Sequence, residues 1–451
     1  MFLKKNSSFI LCFLLLSAGV ILQYFLISIF YGLGTKHNSR KRKEILVSKH
    51  VLPTCIIRNS KYNITSFSNQ EKNKTNDYMF SNITVAFFED IRRSWPYGTI
   101  FRAPEKIRYC NCSAFNVTVA TEKLVQNLGR YDIIFVPQDV GCYKISNLTW
   151  NKLGQQKRNK STQRWIYASF EGVYKIMPQF PDKPYNKDAY DWSFTYHSES
   201  DFPMPYGYYK QIEKGLFVGG GMDSILKRKT KLISWMSTWN DCEWPRKRFV
   251  DELGRYLPIH RYGGRTGMRC PRSGTVCEMK MKKYKFYLAL ENSCCSEYIT
   301  EKFWRTLTWD IVPVVVGAPK SDYLRFAPPG SFIYANDFSS VKGLAEYLLE
   351  LDSNDELYVR YLQWKVAGKA VLNYPDLNDK PAKTRVPPDT FFYSCASVCR
   401  VVTTYQENRQ YKRNYEHNMT ENFDPYVSWW GGSCRKCTHL ISWENTSKCD
   451  H

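Results

Sequence analysis

Six short apolar runs, spaced along the chain by mixed and amphipathic segments, constrain this sequence most: "ITVAFFED", "YDIIFVPQ", "QRWIYASFE", "KLISWMST", "YKFYLALEN" and "DIVPVVVG". Runs of this length, rich in β-branched and aromatic residues, suit strands buried on both faces. Helical pieces lie between them, at Arg246–Tyr256 and Thr300–Thr308. The clearest follows "NDFSS", where Ser340 can cap a helix with apolar positions Leu344, Leu348 and Leu351. Strand–helix alternation predicts an α/β fold with parallel sheets covered by helices. At 451 residues the chain exceeds one ordinary domain. The stretch "KQIEKGLFVGGGMDS" reads as a linker between two such units, and its glycines lack the G-x-G-x-x-G spacing.

Other features place the chain in the cell. From Phe9 to Gly34 there is no charge, and about 20 apolar residues span a bilayer. The run is long for a cleavable signal, so the reading is a cytosolic tail at 1–8, a signal-anchor at 9–33 and a polar stem at 34–80. Lys36 and the cluster Arg40–Lys43 after the span would by themselves put the C-terminal side in the cytosol. Two features overrule them. N-x-S/T sequons stand at Asn63, Asn73, Asn82, Asn111, Asn116, Asn147, Asn159, Asn418 and Asn445, and of 15 cysteines all but Cys12 follow the span. Both suit an oxidising lumen. The same compartment favours disulfides over zinc for Cys395, Cys399, Cys434 and Cys437, and the adjacent Cys294 and Cys295 each need a partner elsewhere. A net charge of +22 suits a polyanionic ligand without choosing one.

Candidate chemistry concentrates in "YKFYLALENSCCSEYITEKFWRTL", residues 284–307. This is a strand, a turn and a helix start, the place where open α/β sheets bind ligands. Free N–H groups there favour phosphate. Lys302 adds a cation, Glu301 can accept from ribose hydroxyls and Tyr298 can stack or donate. A solvated helix start with an acid near its dipole is the plainer alternative. Arg246 opens another helix after a strand, where its fork could clamp a diphosphate or simply face solvent. Glu171 ends a strand and is a candidate general base. Glu199-Ser200-Asp201 has the acid-x-acid form of a metal site, a pattern frequent by chance.

The stretch 284–338 resembles the signature of the α1,3-fucosyltransferases. Tyr284, Lys285, Phe286, Glu291, Asn292 and Ser293 match it, then Tyr298 through Lys302, then Val312 to Val315 with Gly317. More loosely the likeness covers most of 160–400. It implies a GT-B fold: two doubly wound, Rossmann-like domains around a cleft, here 81–215 on the acceptor side and 216–375 on the GDP-fucose side, followed by a Cys-rich extension at 376–451. It further implies donor-site roles for Arg246, Asn292, Tyr298, Glu301 and Lys302, a base at Glu171, no obligatory metal or other cofactor, and a Golgi type II membrane enzyme. Partners would be GDP-fucose and a glycoprotein glycan, with the membrane held by one helix and no nucleic acid; stem or span could support a homodimer. The favoured acceptor is the innermost GlcNAc of N-glycans. Lewis-type or LacdiNAc antennae, protein-linked acceptors and an inactive glycan-binding protein are the alternatives. Departures from the pattern are Gly172-Val173 for Ser-Pro, His197 for arginine, Glu199 for aspartate and Leu290 for phenylalanine.

Overall fold

The computed structural model describes residues 82–88, 107–112, 115–122, 125–137, 162–173, 190–212, 221–237, 244–263, 268, 270, 275–373, 395–411 and 431–441. Tail, span and stem fall outside these residues, as do the sequons at Asn63, Asn73, Asn147, Asn159, Asn418 and Asn445. Among the described residues no helix is long and apolar enough to cross a membrane.

The first sheet comprises β1 (Asn82–Phe88), β2 (Ile107–Cys112), β3 (Phe115–Glu122), β4 (Ile133–Pro137), β5 (Arg164–Ser169), β6 (Trp192–Thr195) and β7 (Phe202–Pro203), in the order β2-β3-β1-β4-β5-β6-β7. All neighbours are parallel except β2 with β3. That antiparallel hairpin is one departure from a wholly parallel expectation.

The second sheet is parallel throughout. It contains β9 (Lys231–Met236), β10 (Ile259–Tyr262), β11 (Tyr284–Leu290), β12 (Val312–Val316) and β13 (Ile333–Tyr334), in the order β10-β9-β11-β12-β13. Between the sheets in sequence lies β8 (Gly207–Gln211). It pairs antiparallel with β14 (Gly368–Leu372), so the chain returns from the second sheet to the segment that left the first.

The helices are α1 (Met222–Leu226), α2 (Arg246–Leu253), α3 (Thr275–Met281), α4 (Glu301–Thr308), α5 (Lys320–Phe326), α6 (Val341–Ser353), α7 (Asp355–Arg360) and α8 (Cys395–Tyr411). Thr300 is the cap of α4 and not its first residue, and α2 stops at Leu253, three residues short of the expected end. Ser340 caps α6 as its sequence implied, its Oγ accepting from the Gly343 amide at 3.0 Å. The segment read as a linker instead holds β8 and α1 at its two ends.

Why all six apolar runs are strands is visible in β11, where every residue is buried. Phe286, Leu288 and Leu290 pack with α2 and α6 side chains such as Phe249, Val250, Leu344 and Leu348. Tyr287 and Ala289, on the other face, join a core continuous with Ile134, Phe135 and Ile166 of the first sheet. A strand covered on both faces has no position where a polar residue is cheap, since burial stabilises each large apolar side chain by about 1.5–3 kcal/mol.

The C-terminal segments fold back. In α8, Val398, Val401, Val402 and Tyr405 belong to the first sheet's core. Cys399 is bonded to Cys112 at the end of β2, and the Tyr405 hydroxyl donates to the Thr162 carbonyl at 2.5 Å.

Candidate active site

In the second sheet the order places β9 and β11 side by side while their following connections run to opposite sides of the sheet. Such a reversal opens a crevice at the carboxyl ends of the strands. Arg246 follows β9 and the turn 291–300 follows β11, so the two candidate diphosphate-binding elements flank one crevice. They are joined directly: the Trp244 indole N–H donates to the Glu291 carbonyl at 2.8 Å. Arg246 is buried, 5% exposed, in the first turn of α2.

The turn is organised around Glu291, which is completely buried. Its carboxylate accepts from the Thr300 amide at 2.8 Å, the Thr300 hydroxyl at 2.7 Å and the Lys302 ammonium at 3.2 Å. The ammonium also lies 3.0 Å from the Thr300 hydroxyl and 3.4 Å from Glu301. Gly317, at the end of β12, makes room: a Cβ there would stand 2.7 Å from Glu291 Cγ and 2.8 Å from the Tyr323 hydroxyl.

Opposing forces set the charges of this group. Burial raises Glu291, against the pull of Lys302 and the Thr300 hydrogen bonds. Burial also works against the Lys302 cation, but Glu291 and Glu301 outweigh it and hold the ammonium above its ordinary range. Glu301 goes the other way: burial would raise it, yet Lys302 and Arg305 carry it below the usual carboxylate range. The sequence motif therefore encodes a charged pair at the helix start. Glu291, absent from the expected site residues, is its anchor, and an acid ending a strand with no exposed residue was the signal for it.

Cys294 and Cys295 find partners outside the turn, as expected of neighbours that seldom pair with each other. Cys294 is bonded to Cys437 and Cys295 to Cys434. Backbone bonds reinforce the clasp, from the Ser296 amide to Ser433 at 2.8 Å and from the Arg435 amide to Cys294 at 2.9 Å. The expected disulfide chemistry thus serves to pin the turn.

Glu171 arrives from the first sheet, two residues beyond β5. Its Oε2 accepts from Asn292 Nδ2 at 2.9 Å and from the Tyr298 hydroxyl at 3.1 Å. Burial first, then the Glu171 charge, pushes the Tyr298 phenol well above its ordinary range, so it stays a proton donor. Its ring packs on Tyr196, centroids 4.9 Å apart, and edge-on to Tyr206. Gly172 explains how the two segments come so close. A Cβ there would lie 2.4 Å from Ser293 Cβ and 3.4 Å from Cys295 Sγ. The departure from Ser-Pro at this point is matched by the packing of the turn opposite.

Two other expectations have structural outcomes. Asp201 has a structural bond: its Oδ2 accepts from the Ser193 amide at 2.7 Å and the Ser193 hydroxyl at 2.8 Å, tying the loop after β6 to the strand. Burial raises its pKa, with the Ser193 bonds opposing. His197 is buried, and its Nδ1 accepts from the Glu199 amide at 3.2 Å. Burial lowers its pKa, the acids Glu297, Glu199 and Asp322 pulling the other way. Where the resemblance implies an arginine, this chain places a buried imidazole.

Residues 226–418 match the family model described as glycosyltransferase family 10 (fucosyltransferase), C-terminal part. The resemblance to α1,3-fucosyltransferases holds. Alpha-(1,3)-fucosyltransferase 4 of Mus musculus is 37% identical over 205 residues, 45% of this chain and 46% of that protein. Glycoprotein 3-alpha-L-fucosyltransferase A of Drosophila melanogaster is 37% identical over 190 residues, 42% of this chain and 38% of that one. The chain thus spans about half or less of the length of these curated relatives. A crystal structure of an α1,3-fucosyltransferase with GDP-fucose aligns with 78% of this chain and 96% of its own, at 13% identity and a TM-score of 0.43.

Proposed function

We propose that this protein is an inverting GT-B glycosyltransferase that moves L-fucose from GDP-β-L-fucose to the 3-hydroxyl of GlcNAc on glycoprotein glycans, the innermost GlcNAc of N-glycans being the favoured acceptor. The observation that carries this reading is the meeting of Glu171, from one sheet, with Asn292 and Tyr298, from the other, at 2.9 and 3.1 Å. A base and a nucleotide-binding turn in contact are what direct displacement at an anomeric carbon needs.

Each residue then has a task. Glu171 takes the proton of the attacking hydroxyl as its oxygen bonds to the anomeric carbon and the bond to the β-phosphate oxygen breaks. Asn292 and Tyr298 orient the carboxylate. The Asn292 Oδ1 is buried and has no hydrogen-bond partner among the described residues. Charge developing on GDP meets Lys302, Arg246 and the N-terminus of α4, and Glu301 takes the ribose. These fixed cations make an obligatory divalent metal unnecessary. The protein would act in the Golgi lumen, anchored by 9–33.

The name of the Drosophila relative favours a glycoprotein acceptor. Human relatives at 38% identity over 210 residues are named 4-galactosyl-N-acetylglucosaminide 3-alpha-L-fucosyltransferase, which keeps the antenna acceptor as the second reading. The test incubates the full-length chain in detergent with labelled GDP-fucose and a chelator against a biantennary N-glycan core, LacNAc and LacdiNAc. Transfer to the core is expected. Transfer only to antennae would replace the acceptor, and no transfer from folded protein would refute the reaction.

A further inference from the structure

One carboxylate in the donor turn faces the other sheet and has no part in the chemistry above. Glu297 lies between the Cys295 disulfide and Tyr298, with its side chain 9% exposed. Its two oxygens accept from Ser198, Oε2 from the amide at 2.6 Å and Oε1 from the hydroxyl at 2.7 Å. Arg325 of α5 donates to Oε1 at 3.2 Å. His197 Nδ1 stands 3.9 Å from Oε2, too far for a hydrogen bond.

The backbone is committed to this arrangement. Glu297 has φ of 58°, a left-handed conformation that costs an L side chain free energy. Its amide is held by Asp322 Oδ2 at 2.7 Å. Such conformations persist where the surroundings over-determine them, often at functional sites. Ser198 belongs to the loop 196–201 that follows β6, and the loop begins at Tyr196, whose ring lies on Tyr298. Glu297 therefore bridges a loop of the first sheet to the turn that touches Glu171.

We propose that Glu297 is a positioning residue: by gripping Ser198 it holds loop 196–201 beside the donor turn and so fixes where the acceptor is presented to Glu171. The inference rests on the fucosyl-transfer reading. It assigns the grip to acceptor use and not to nucleotide binding, because the partners of Glu297 are Ser198 of the first sheet and Asp322 and Arg325 of α5, and none of these is among the proposed nucleotide-binding residues.

Glu297→Gly removes the carboxylate while suiting the left-handed backbone, so misfolding is not its expected outcome. In the full-length protein in detergent, kcat/KM for the accepted glycan should fall about 10-fold or more, whereas the Kd for GDP should change less than about 3-fold. Hydrogen exchange should show the Ser198 amide losing protection in the same variant. Ser198→Ala should lower acceptor kcat/KM and Ser198→Thr should restore it. A glycan kcat/KM within about twofold of wild type, or a loss of GDP affinity equal to the loss in transfer, would overturn the proposal. If the wild-type chain transfers no fucose, the proposed reaction fails; Ser198 protection unchanged in Glu297→Gly would then overturn the grip by itself.

Discussion

Removing Lys302 should do two separable things. Glu291 is wholly buried, and without the ammonium at 3.2 Å it keeps, among the described residues, the two Thr300 donors. Breaking a buried ion pair by deleting one partner costs about 3–5 kcal/mol. Lys302 keeps 20% of its side chain exposed, so water relieves part of the burden and the low end, about 3 kcal/mol, is expected for Lys302→Ala. At about 2 °C per kcal/mol, the small end of the scale for large domains, the melting temperature should drop by about 6 °C. Transfer should also be lost, because in the proposed reaction Lys302 is a cation that meets the charge developing on GDP. Pairing the change with Glu291→Gln separates the effects. A neutral amide can still accept from Thr300 and leaves no orphaned charge, so most of the stability should return while transfer stays absent. Differential scanning fluorimetry and transfer of labelled fucose read the two quantities. Recovery of activity in the double variant, or an unchanged melting temperature in Lys302→Ala, would refute the reasoning.

Other consequences follow from particular contacts. Tyr298→Phe deletes the 3.1 Å hydrogen bond to Glu171 and keeps the ring packing; kcat should fall about 10-fold or more with little change in melting temperature, and a near-normal kcat would show that the phenol does not orient the base. Gly172→Ala drives a methyl to 2.4 Å from Ser293 Cβ. Overpacking of this kind costs about 1–3 kcal/mol, and by prising Glu171 from the turn it should lower transfer more than the melting shift alone explains. His197 is held below its ordinary pKa by burial, with Glu297, Glu199, Asp322 and Arg325 as its charged neighbours. The folded state thus binds the proton less readily than the unfolded chain, so this contribution to stability is complete above the ordinary histidine range and is lost as the pH falls through it. His197→Asn should flatten that part of the melting-temperature profile between about pH 7 and 5. Finally, Asn111, Asn116 and Asn82 occupy one register row across β2, β3 and β1. Neighbouring strands are about 4.8 Å apart, so glycopeptide mass spectrometry should find these sequons sparsely and unequally occupied.

What the sequence determined by itself was whatever is written in local periodicity and local chemistry. Every one of the six apolar runs is a strand, because a strand covered on both faces favours apolar residues along its length and admits a polar one such as Lys285 only with partners, here Asp352 and Asp355. Ser340 caps a helix because a hydroxyl before an apolar-periodic segment has a nearby amide to satisfy. The motif at 284–307 carried enough identity to place Asn292, Tyr298, Glu301 and Lys302 on one turn. Short strands such as β7 and β13, and the β8–β14 pairing, were not legible, since two-residue runs have no period and residues about 160 apart share no local signal. The acid-x-acid pattern at 199–201 showed the same limit from the other side: residue types alone could not tell a ligand site from a loop strapped to Ser193. Tertiary structure alone decided that Glu171 touches the turn of the other sheet, that Cys294 and Cys295 reach Cys437 and Cys434, and that Glu297 holds Ser198. Those pairs lie about 100 residues or more apart: the packing of two sheets into a shared core brings Glu171 and Ser198 to the turn, and the return of the C-terminal segment brings Cys434 and Cys437 to it.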